Sequence, residues 1–401
     1  MNKAIVLLAT INALLMFISG LTYPLLPLYL VGHKGYSAFI SGVVASLSSL
    51  TSFVFSIIWG YILNRFRGRE TFFSGFGGLV TAIFFSLASF FSNDILLLSI
   101  FFSLTGIGAS CTLVSSTTLV SLISSSQVVG RSMGVFWAAG SLGWATPLTF
   151  SGYFLNRFGI ESIFHIAILV SLLIVLLSIA LSKYIKDVGN LGNIVRLNSI
   201  KRRSFLFLRN RLYLLFFISS IIFGAADVAK NIYVPQYYAY EIRLGEVYAT
   251  LLLSIASWFE IPMLIAFGYI VDKLGSKIVY IFSLASMAIF MVLNIFIVKD
   301  MSTAFATMAF YSIVWGSYAS SAYVLAVELA KGDESASLGL LNSSIPLASI
   351  LYNPLGGYIS SSMGYKTNFS FLSLLLVASS VTFYYYYEMR KTTNKIEMHL
   401  N

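Results

Sequence analysis

Long apolar stretches, each about 20 residues or more, recur along the chain, and each could cross the roughly 30 Å hydrocarbon core of a bilayer as a helix. Because lipid offers no partner for backbone N–H and C=O groups, such stretches can cross it only as helices. Hydrophobic residues make up 58% of the 401 residues and charged residues only 10%. That is too few charges to cover the surface of a soluble protein. The sequence therefore predicts an all-α membrane protein.

Twelve apolar stretches predict twelve transmembrane helices. Their expected bounds are 4–30, 37–64, 71–91, 95–121, 132–156, 160–183, 211–238, 246–272, 276–298, 302–330, 336–361 and 367–388. The first stretch lacks a small-residue cleavage pattern, so it is predicted to be a retained helix and not a signal peptide. The longest connection divides the spans six and six. We therefore expect an N-terminal six-helix bundle over 1–183, a basic linker over 184–210, a C-terminal six-helix bundle over 211–388 and a tail over 389–401.

The basic residues predict the orientation in the membrane. Most of the 25 lysines and arginines lie in the linker, the tail and the loops on the same side as both termini. The positive-inside rule places that side in the cytoplasm, and we expect a multi-pass protein of the plasma membrane. The net charge of +10 then reflects topology and indicates no acidic partner. The linker is expected to lie beside anionic lipid headgroups, and it contains no recognisable nucleic-acid-binding module.

The two halves of the chain are related by an internal repeat. Residues 60–65, Gly-Tyr-Ile-Leu-Asn-Arg, resemble residues 268–273, Gly-Tyr-Ile-Val-Asp-Lys, and both segments end a predicted span on the cytoplasmic side. A second set recurs at one constant offset: Gly152-Tyr153, Phe158-Gly159 and Phe164 match Gly357-Tyr358, Met363-Gly364 and Phe369. Span two therefore repeats as span eight and span five as span eleven, which indicates two parallel copies of six helices.

These motifs resemble the major facilitator superfamily of transporters over essentially the full length. The family's loop between spans two and three contains a glycine, a carboxylate and basic residues. The second half matches it at Gly268, Asp272, Lys273, Gly275 and Lys277, and the first half at Gly60, Asn64, Arg65 and Arg69, where Asn64 replaces the carboxylate. The family's fifth-span motif is similar to Gly140, Gly143, Pro147 and Gly152. The resemblance implies a secondary transporter whose two bundles rock to give alternating access.

The loop motifs have a physical interpretation as a gate. Gly60 and Gly268 lack side chains, so a neighbouring helix can approach closely. Asp272 could face the positive N-terminus of a helix in the other half, which would stabilise a closed cytoplasmic mouth. Anchoring of the loop is the alternative. Because Asn64 carries no charge, we expect the contact of the first half to be weaker or differently arranged.

The fifth span is predicted to be unusually adaptable. Proline removes a backbone donor and kinks a helix, and Gly140, Gly143 and Gly152 loosen the helix around Pro147. These four residues are therefore candidates for helix bending during gating. Close packing against a neighbouring helix explains them equally well.

Few ionisable residues lie inside the predicted spans. Glu260 lies near the middle of span eight, and Asp227, Lys230 and Asn231 lie in span seven. A charge at mid-bilayer costs roughly 2.5–3.5 kcal/mol or more, so it normally faces a cavity or a partner. Asp227 and Lys230 could instead form an ion pair on one helix face. Glu260 has no partner nearby in sequence, so we predict that it lies at a polar cavity, where it could carry a proton.

Two tryptophans complete the predicted cavity. Trp144 resembles a tryptophan that stacks on sugar in the fifth span of a sugar permease of the family, and Trp315 is a second candidate. Residues 258–263 are similar to the eighth span of sugar efflux transporters. Ordinary packing is the alternative for both tryptophans. The predicted function is secondary transport of a small organic solute, with a sugar-like, proton-coupled cargo favoured and with a multidrug efflux carrier or a transporter-like solute sensor as alternatives.

The sequence gives no support for other kinds of chemistry. One cysteine, Cys111, and three scattered histidines predict neither a metal site nor the clustered residues of a membrane enzyme. A phosphate-binding loop of the Gly-x-x-x-x-Gly-Lys-Ser/Thr type is missing from the sequence, so neither ATP nor another cofactor is expected. The expected partners are a small-molecule substrate, a proton and the lipid bilayer, with no nucleic acid, and the chain is expected to be a monomer.

Overall fold

The computed structural model describes residues 3–23, 26, 34, 38–125, 128–187, 206–330 and 333–400, and this part of the chain contains twelve long helices. The helices are α1 Lys3–Thr22, α2 Ala38–Arg65, α3 Glu70–Phe90, α4 Ile95–Ile123, α5 and α6 together Val129–Asp187, α7 Arg211–Gln236, α8 Glu246–Leu274, α9 Ser276–Phe296, α10 Met301–Ala330, α11 Glu334–Met363 and α12 Tyr365–Leu400. A 3₁₀ turn, Leu206–Arg209, precedes α7, and a π turn, Tyr237–Glu241, follows it.

A glycine divides α5 from α6 without an intervening loop. Gly159 has φ 71° and ψ 173°, a backbone conformation that is essentially restricted to glycine. Helix α5 therefore covers 129–158 and helix α6 covers 160–187, close to the predicted spans. Gly364, with φ 87°, separates α11 from α12 at the equivalent place in the second half. The repeat seen in the sequence thus reappears as the same helix junction.

The helices form two bundles of six, and two helix pairs make the most extensive contacts between them. In the first bundle α1 packs on α5, and α3 packs on α4 and α6; in the second, α10 packs on α8 and α9, and α11 and α12 pack on α7. Helix α2 packs on α11, and α5 packs on α8, which joins the bundles. The prediction of an all-α membrane protein built from two parallel six-helix repeats is confirmed.

The lipid-facing and interior surfaces differ in the way expected of a membrane protein. In the described part, ten helices are long and apolar enough to cross a membrane, and the two that are not are α5 and α11. These two helices occupy equivalent places in the repeat, and both are interrupted by prolines and contain several glycines and serines. Large apolar side chains such as Phe72, Leu176 and Leu374 lie exposed on the outer helices.

Some predicted boundaries differ from the structure. Helix α12 continues to Leu400, so residues 389–400, predicted as a tail, extend the last helix. Helix α1 ends at Thr22, and most of its predicted continuation to residue 30 lies outside the described residues. The same is true of 188–205, the larger part of the basic linker.

Candidate functional site

A cavity of about 340 Å³ lies between the two bundles. Its lining comes from α1, α2, α4 and α5 of the first bundle and from the equivalent helices α7, α8, α10 and α11 of the second. All six residues predicted for the cavity line it: Trp144, Asp227, Lys230, Asn231, Glu260 and Trp315. The repeat therefore places the polar residues of the sequence around one shared space.

Glu260 stands at the centre of α8, fourteen residues from either end, or about 21 Å along the helix. Its side chain is 5% exposed, and its Oε2 accepts a hydrogen bond from Ser141 Oγ at 3.1 Å. Ser141 belongs to α5, so this bond joins the two bundles at the cavity. A buried carboxylate needs donors or a proton to offset its lost hydration. Glu260 is thus placed to accept a hydrogen bond from a solute or to take a proton.

Asp227 and Lys230 are arranged by two neighbours. Tyr311 donates a short hydrogen bond to Asp227 Oδ1, and Asn231 Nδ2 donates to Oδ2 at 3.3 Å. Lys230 Nζ donates to Asn231 Oδ1 at 3.2 Å and lies 4.2 Å from the centroid of the Tyr311 ring. Among the described residues, no direct ion pair joins Asp227 and Lys230. Asn231 instead bridges two opposite charges that are almost completely buried.

Aromatic rings form much of the remaining wall. Trp144 of α5 and Trp315 of α10 line the cavity from opposite bundles. Trp137 packs edge-on against Trp315, with centroids 6.3 Å apart, and lies 4.9 Å from the centroid of Tyr323. The ring of Tyr318 stacks on Phe223 at 3.7 Å. Flat apolar faces interrupted by a few polar groups are the usual lining of a small-molecule site.

The bundles also meet at the end of the molecule where α5 and α11 begin, which we call the α5/α11 end. There Asp272 of α8 accepts hydrogen bonds from the backbone N–H groups of Gly130 and Arg131, at 2.8 and 3.2 Å. Arg131 Nε adds an ion pair at 2.9 Å. These amides belong to the first turn of α5, where the helix dipole favours a negative charge. Gly268 of the same α8 segment lies against the Gly130 carbonyl oxygen.

The equivalent contact of the first half has its charges reversed. Asn64 of α2 donates to Asp333 Oδ1 at 2.8 Å, and Arg67 pairs with Glu334 at 2.8 Å. The carboxylates therefore lie at the start of α11, whereas in the second half the carboxylate lies on α8. Gly60 faces Gly339 across this contact. This is the different arrangement that Asn64 led us to expect.

Within the described part of the chain, several basic residues of the predicted gate form no ion pair with the opposite bundle. Arg67, which lies between the predicted Arg65 and Arg69, makes the ion pair between the bundles, while Arg69 lies 5.9 Å from the Phe66 ring of its own loop. The Lys277 ammonium lies 5.1 Å from the Tyr387 ring of α12, and Lys273 is exposed. Gly275, with φ 86°, permits the sharp turn between α8 and α9.

The glycines of α5 serve close packing against α1. A methyl group at Gly140 would come 2.5 Å from Asn12 Nδ2, and one at Gly143 would overlap the Ala13 carbonyl oxygen. The Pro147 ring lies beside Gly20 of α1. The surroundings of Gly152 lie outside the described residues. Bending of α5 during gating stays a prediction.

Some functional candidates escaped the sequence reasoning. They are Arg67, Arg131, Ser141, Tyr311, Asp333, Glu334 and Asn342. Gly134 and Gly339 occupy the same position in the two halves, because each lies five residues into its helix, α5 or α11. Each contacts the loop-motif glycine of the opposite bundle. The internal repeat was therefore a signal that could have identified both glycines. Among the described residues, no group of three or more His, Cys, Asp or Glu side chains could hold a metal ion.

Two pseudo-equivalent bundles around a shared polar cavity define a multi-pass membrane protein of the carrier type. The family model of the Major Facilitator Superfamily matches residues 8–245 and 212–398. The chain belongs to this superfamily, whose members are transporters rather than enzymes.

Solved structures show the same fold. The proton:xylose symporter XylE bound to 6-bromo-6-deoxy-D-glucose is 15% identical, with 95% of each chain covered and a TM-score of 0.74. A double-tryptophan variant of XylE is 14% identical, with 94% of each chain covered and a TM-score of 0.75. None of the curated proteins compared with the chain matches it. At these identities the likeness establishes the fold alone.

Proposed function

We propose that this transporter carries a small, hydroxyl-rich organic solute, such as a monosaccharide, by alternating access through the central cavity. The observation that carries the proposal is the composition of the wall, in which the aromatic rings of Trp144 and Trp315 line the same cavity as the carboxylate of Glu260. A sugar presents an apolar C–H face and hydroxyl groups that both donate and accept hydrogen bonds. Such a wall satisfies both parts of the molecule.

The size of the cavity supports a small cargo. Its volume of about 340 Å³ lies at the lower end of the roughly 300–1,000 Å³ range of small-molecule sites. A bulky lipophilic drug would need a larger space. The buried polar groups also have a cost unless a ligand or water satisfies them. The XylE complex, whose ligand is a bromo-deoxy sugar, supports the same class of cargo by analogy of fold.

Glu260 is the proposed site of proton coupling. Both carboxylate oxygens of Asp227 already accept hydrogen bonds from protein groups, whereas Ser141 reaches only Oε2 of Glu260. A carboxyl group near mid-membrane can bind a proton on one side and release it on the other as the cavity changes its access. The downhill movement of protons would then drive the solute.

The proposed orientation places both termini and the α5/α11 end in the cytoplasm of a cell with this carrier in its plasma membrane. Basic residues at that end support it: Arg65, Arg67, Arg69, Arg131, Lys273 and Lys277. The paired contacts of Asp272 and Arg67 with the opposite bundle would then hold the cytoplasmic mouth closed. The carrier is proposed to act as a monomer, because each chain supplies both halves of its own cavity.

A ligand-stabilisation screen of the purified full-length protein tests the proposed cargo. Monosaccharides, organic acids and lipophilic cations such as tetraphenylphosphonium would be compared by their effect on the melting temperature. A ligand that binds only the folded state raises the unfolding free energy by about 2.7 kcal/mol at 100 times its Kd. We expect a rise with at least one monosaccharide. Stabilisation by lipophilic cations alone would instead favour the multidrug carrier.

A further inference from the structure

Four side chains of four helices form one cluster at the side of the cavity towards the α5/α11 end, and three of them, all except Thr117, line the cavity. They are Thr117 of α4, Trp137 of α5, Tyr323 of α10 and Asn342 of α11. Each is no more than 8% exposed. Counted along their helices, they lie roughly 9–12 Å from the α5/α11 end, whereas Glu260 lies about 21 Å from the end of α8. The four side chains therefore lie between the proposed solute site and the ionic contacts of Asp272 and Arg67.

Contacts among these residues join the bundles twice. The Trp137 ring of the first bundle lies 4.9 Å from the Tyr323 ring of the second. Asn342 Nδ2 of the second bundle donates to Thr117 Oγ1 of the first at 3.4 Å. Tyr323 OH donates to Asn342 Oδ1 at 2.6 Å, which connects the two contacts. One continuous layer of side chains thus crosses the interface.

The layer follows the internal repeat. Trp137 and Asn342 each lie eight residues into their helices, α5 and α11. Thr117 and Tyr323 each lie 22 residues into theirs, α4 and α10. Equivalent positions of the two halves therefore meet twice across the interface. In one contact the residues are two aromatic rings, Trp137 and Tyr323, and in the other they are an amide and a hydroxyl, Asn342 and Thr117. Four side chains placed this way must all separate when the bundles part at this end.

Trp137 gives the layer an unusual property. Its indole N–H is buried and makes no hydrogen bond to any described residue. A buried donor without a partner destabilises the state in which it is buried, and exposure to water or to a hydroxyl of the cargo removes that penalty. The closed layer is therefore held by ring packing and by the Asn342 amide against a penalty that opening relieves.

We propose that Thr117, Trp137, Tyr323 and Asn342 form an inner gate, a second closure between the solute site and the α5/α11 end. The contacts of Asp272 with Arg131 and of Arg67 with Glu334 form the outer gate. The inner gate closes the same mouth independently of the outer one. It does so with uncharged side chains, whose contacts salt screens far less than those of exposed ion pairs.

Thiol labelling in proteoliposomes tests the inner gate without knowledge of the cargo. The parent carries Cys111→Ala and Met16→Cys, which places one thiol on the cavity wall. A membrane-impermeant methanethiosulfonate reagent is applied from the α5/α11 side. Tyr323→Phe removes one neutral hydrogen bond and keeps the ring, so we expect labelling to accelerate about two- to tenfold. Trp137→Ala should accelerate it more, and each variant combined with Asp272→Asn should multiply the two single effects.

Tyr238→Phe is the matched control. Tyr238 OH donates to Asn294 Oδ1 at 2.7 Å inside the second bundle, so the same kind of bond is lost away from the interface. Parent-like labelling of this control, with faster labelling of the Tyr323 and Trp137 variants, supports the inner gate. Parent-like rates in both gate variants, while Asp272→Asn accelerates labelling, would overturn it. An equal effect of Tyr238→Phe and Tyr323→Phe would also overturn it. None of these outcomes bears on the proposed cargo, which the ligand-stabilisation screen tests separately.

Discussion

Asp272 and Arg131 form an ion pair of 2.9 Å that joins α8 of the second bundle to the first turn of α5 in the first. The carboxylate also accepts hydrogen bonds from two backbone amides of that turn. Its side chain is 5% exposed, whereas that of Arg131 is 44% exposed. The amides and the helix dipole therefore contribute at least as much as the arginine, because exposed ion pairs are weak.

Asp272→Asn should shift the protein towards opening at the α5/α11 end. Asparagine loses the charge that both the helix N-terminus and Arg131 favour. Phe66 and Leu274 are exposed residues of the two bundles near this end. Spin labels at these two positions report the distance between the bundles by pulsed electron–electron double resonance. We expect the longer-distance population to rise about three- to tenfold. An unchanged distance distribution would show that this contact does not hold the bundles together.

Asn64→Asp should weaken the contact of the first half, although aspartate is the residue of the family motif. The Asn64 amide nitrogen donates to Asp333 at 2.8 Å, and its oxygen accepts from Arg67 at 2.9 Å. A carboxylate would keep the contact with Arg67, but its second oxygen would face the Asp333 carboxylate in place of a donor. Like charges so close repel strongly. The same spin-label pair should show more opening. Adding Asp333→Asn should reverse the effect, and more closure in the single variant would contradict the assignment.

Glu260→Gln should abolish accumulation driven by a pH gradient. Glutamine can still donate and accept hydrogen bonds at the cavity but cannot carry a proton. Solute exchange across proteoliposomes without a gradient should therefore continue, while uptake driven by the gradient falls to the level of a carrier without coupling. Asp227→Asn is less direct as a comparison, since Tyr311 and Asn231 both depend on that carboxylate. Gradient-driven uptake equal to that of the parent would remove Glu260 from the coupling role.

Gly143→Ala should destabilise the protein by about 1–3 kcal/mol, because the methyl group overlaps the backbone of α1 and the packed helices resist separation. Gly357→Ala is the matched control in α11. Its methyl group would meet only the Tyr233 hydroxyl oxygen, at 3.3 Å, and alanine favours a helix over glycine by up to about 1 kcal/mol. Melting temperatures in detergent should fall for the first variant and stay level or rise for the second. Equal melting temperatures would contradict the close α1–α5 packing.

Hydropathy and the internal repeat were enough to predict the helices and the two bundles, and the rarity of charges inside the spans indicated Glu260, Asp227 and Lys230, which line the cavity. They succeeded because a membrane restricts the backbone to helices and because Glu260, Asp227 and Lys230 are costly anywhere except beside a cavity or a partner. The partners across the interface could not be predicted in the same way. Asp333 and Glu334 have the ordinary sequence signature of a helix start, and nothing local shows that Asn64 and Arg67 face them.

The role of Trp137 at the interface between the bundles could not be predicted from the sequence either. In sequence Trp137 is one more aromatic residue of the fifth predicted span, seven residues before Trp144. Its position in the layer with Tyr323 depends on how two bundles dock, and its unpaired N–H is visible only once every neighbour is in place. Long-range pairs of uncharged residues leave little trace in a single sequence.

Solute counterflow in proteoliposomes tests the central claim most directly. Vesicles containing the full-length carrier are loaded with unlabelled D-xylose or D-glucose and diluted into a trace of the labelled sugar. A carrier that alternates access to one cavity should accumulate the label transiently, and Trp144→Ala should slow that accumulation while empty vesicles show none. Label that never exceeds the level of empty vesicles for any monosaccharide, while tetraphenylphosphonium exchanges faster than it does in empty vesicles, would contradict the account.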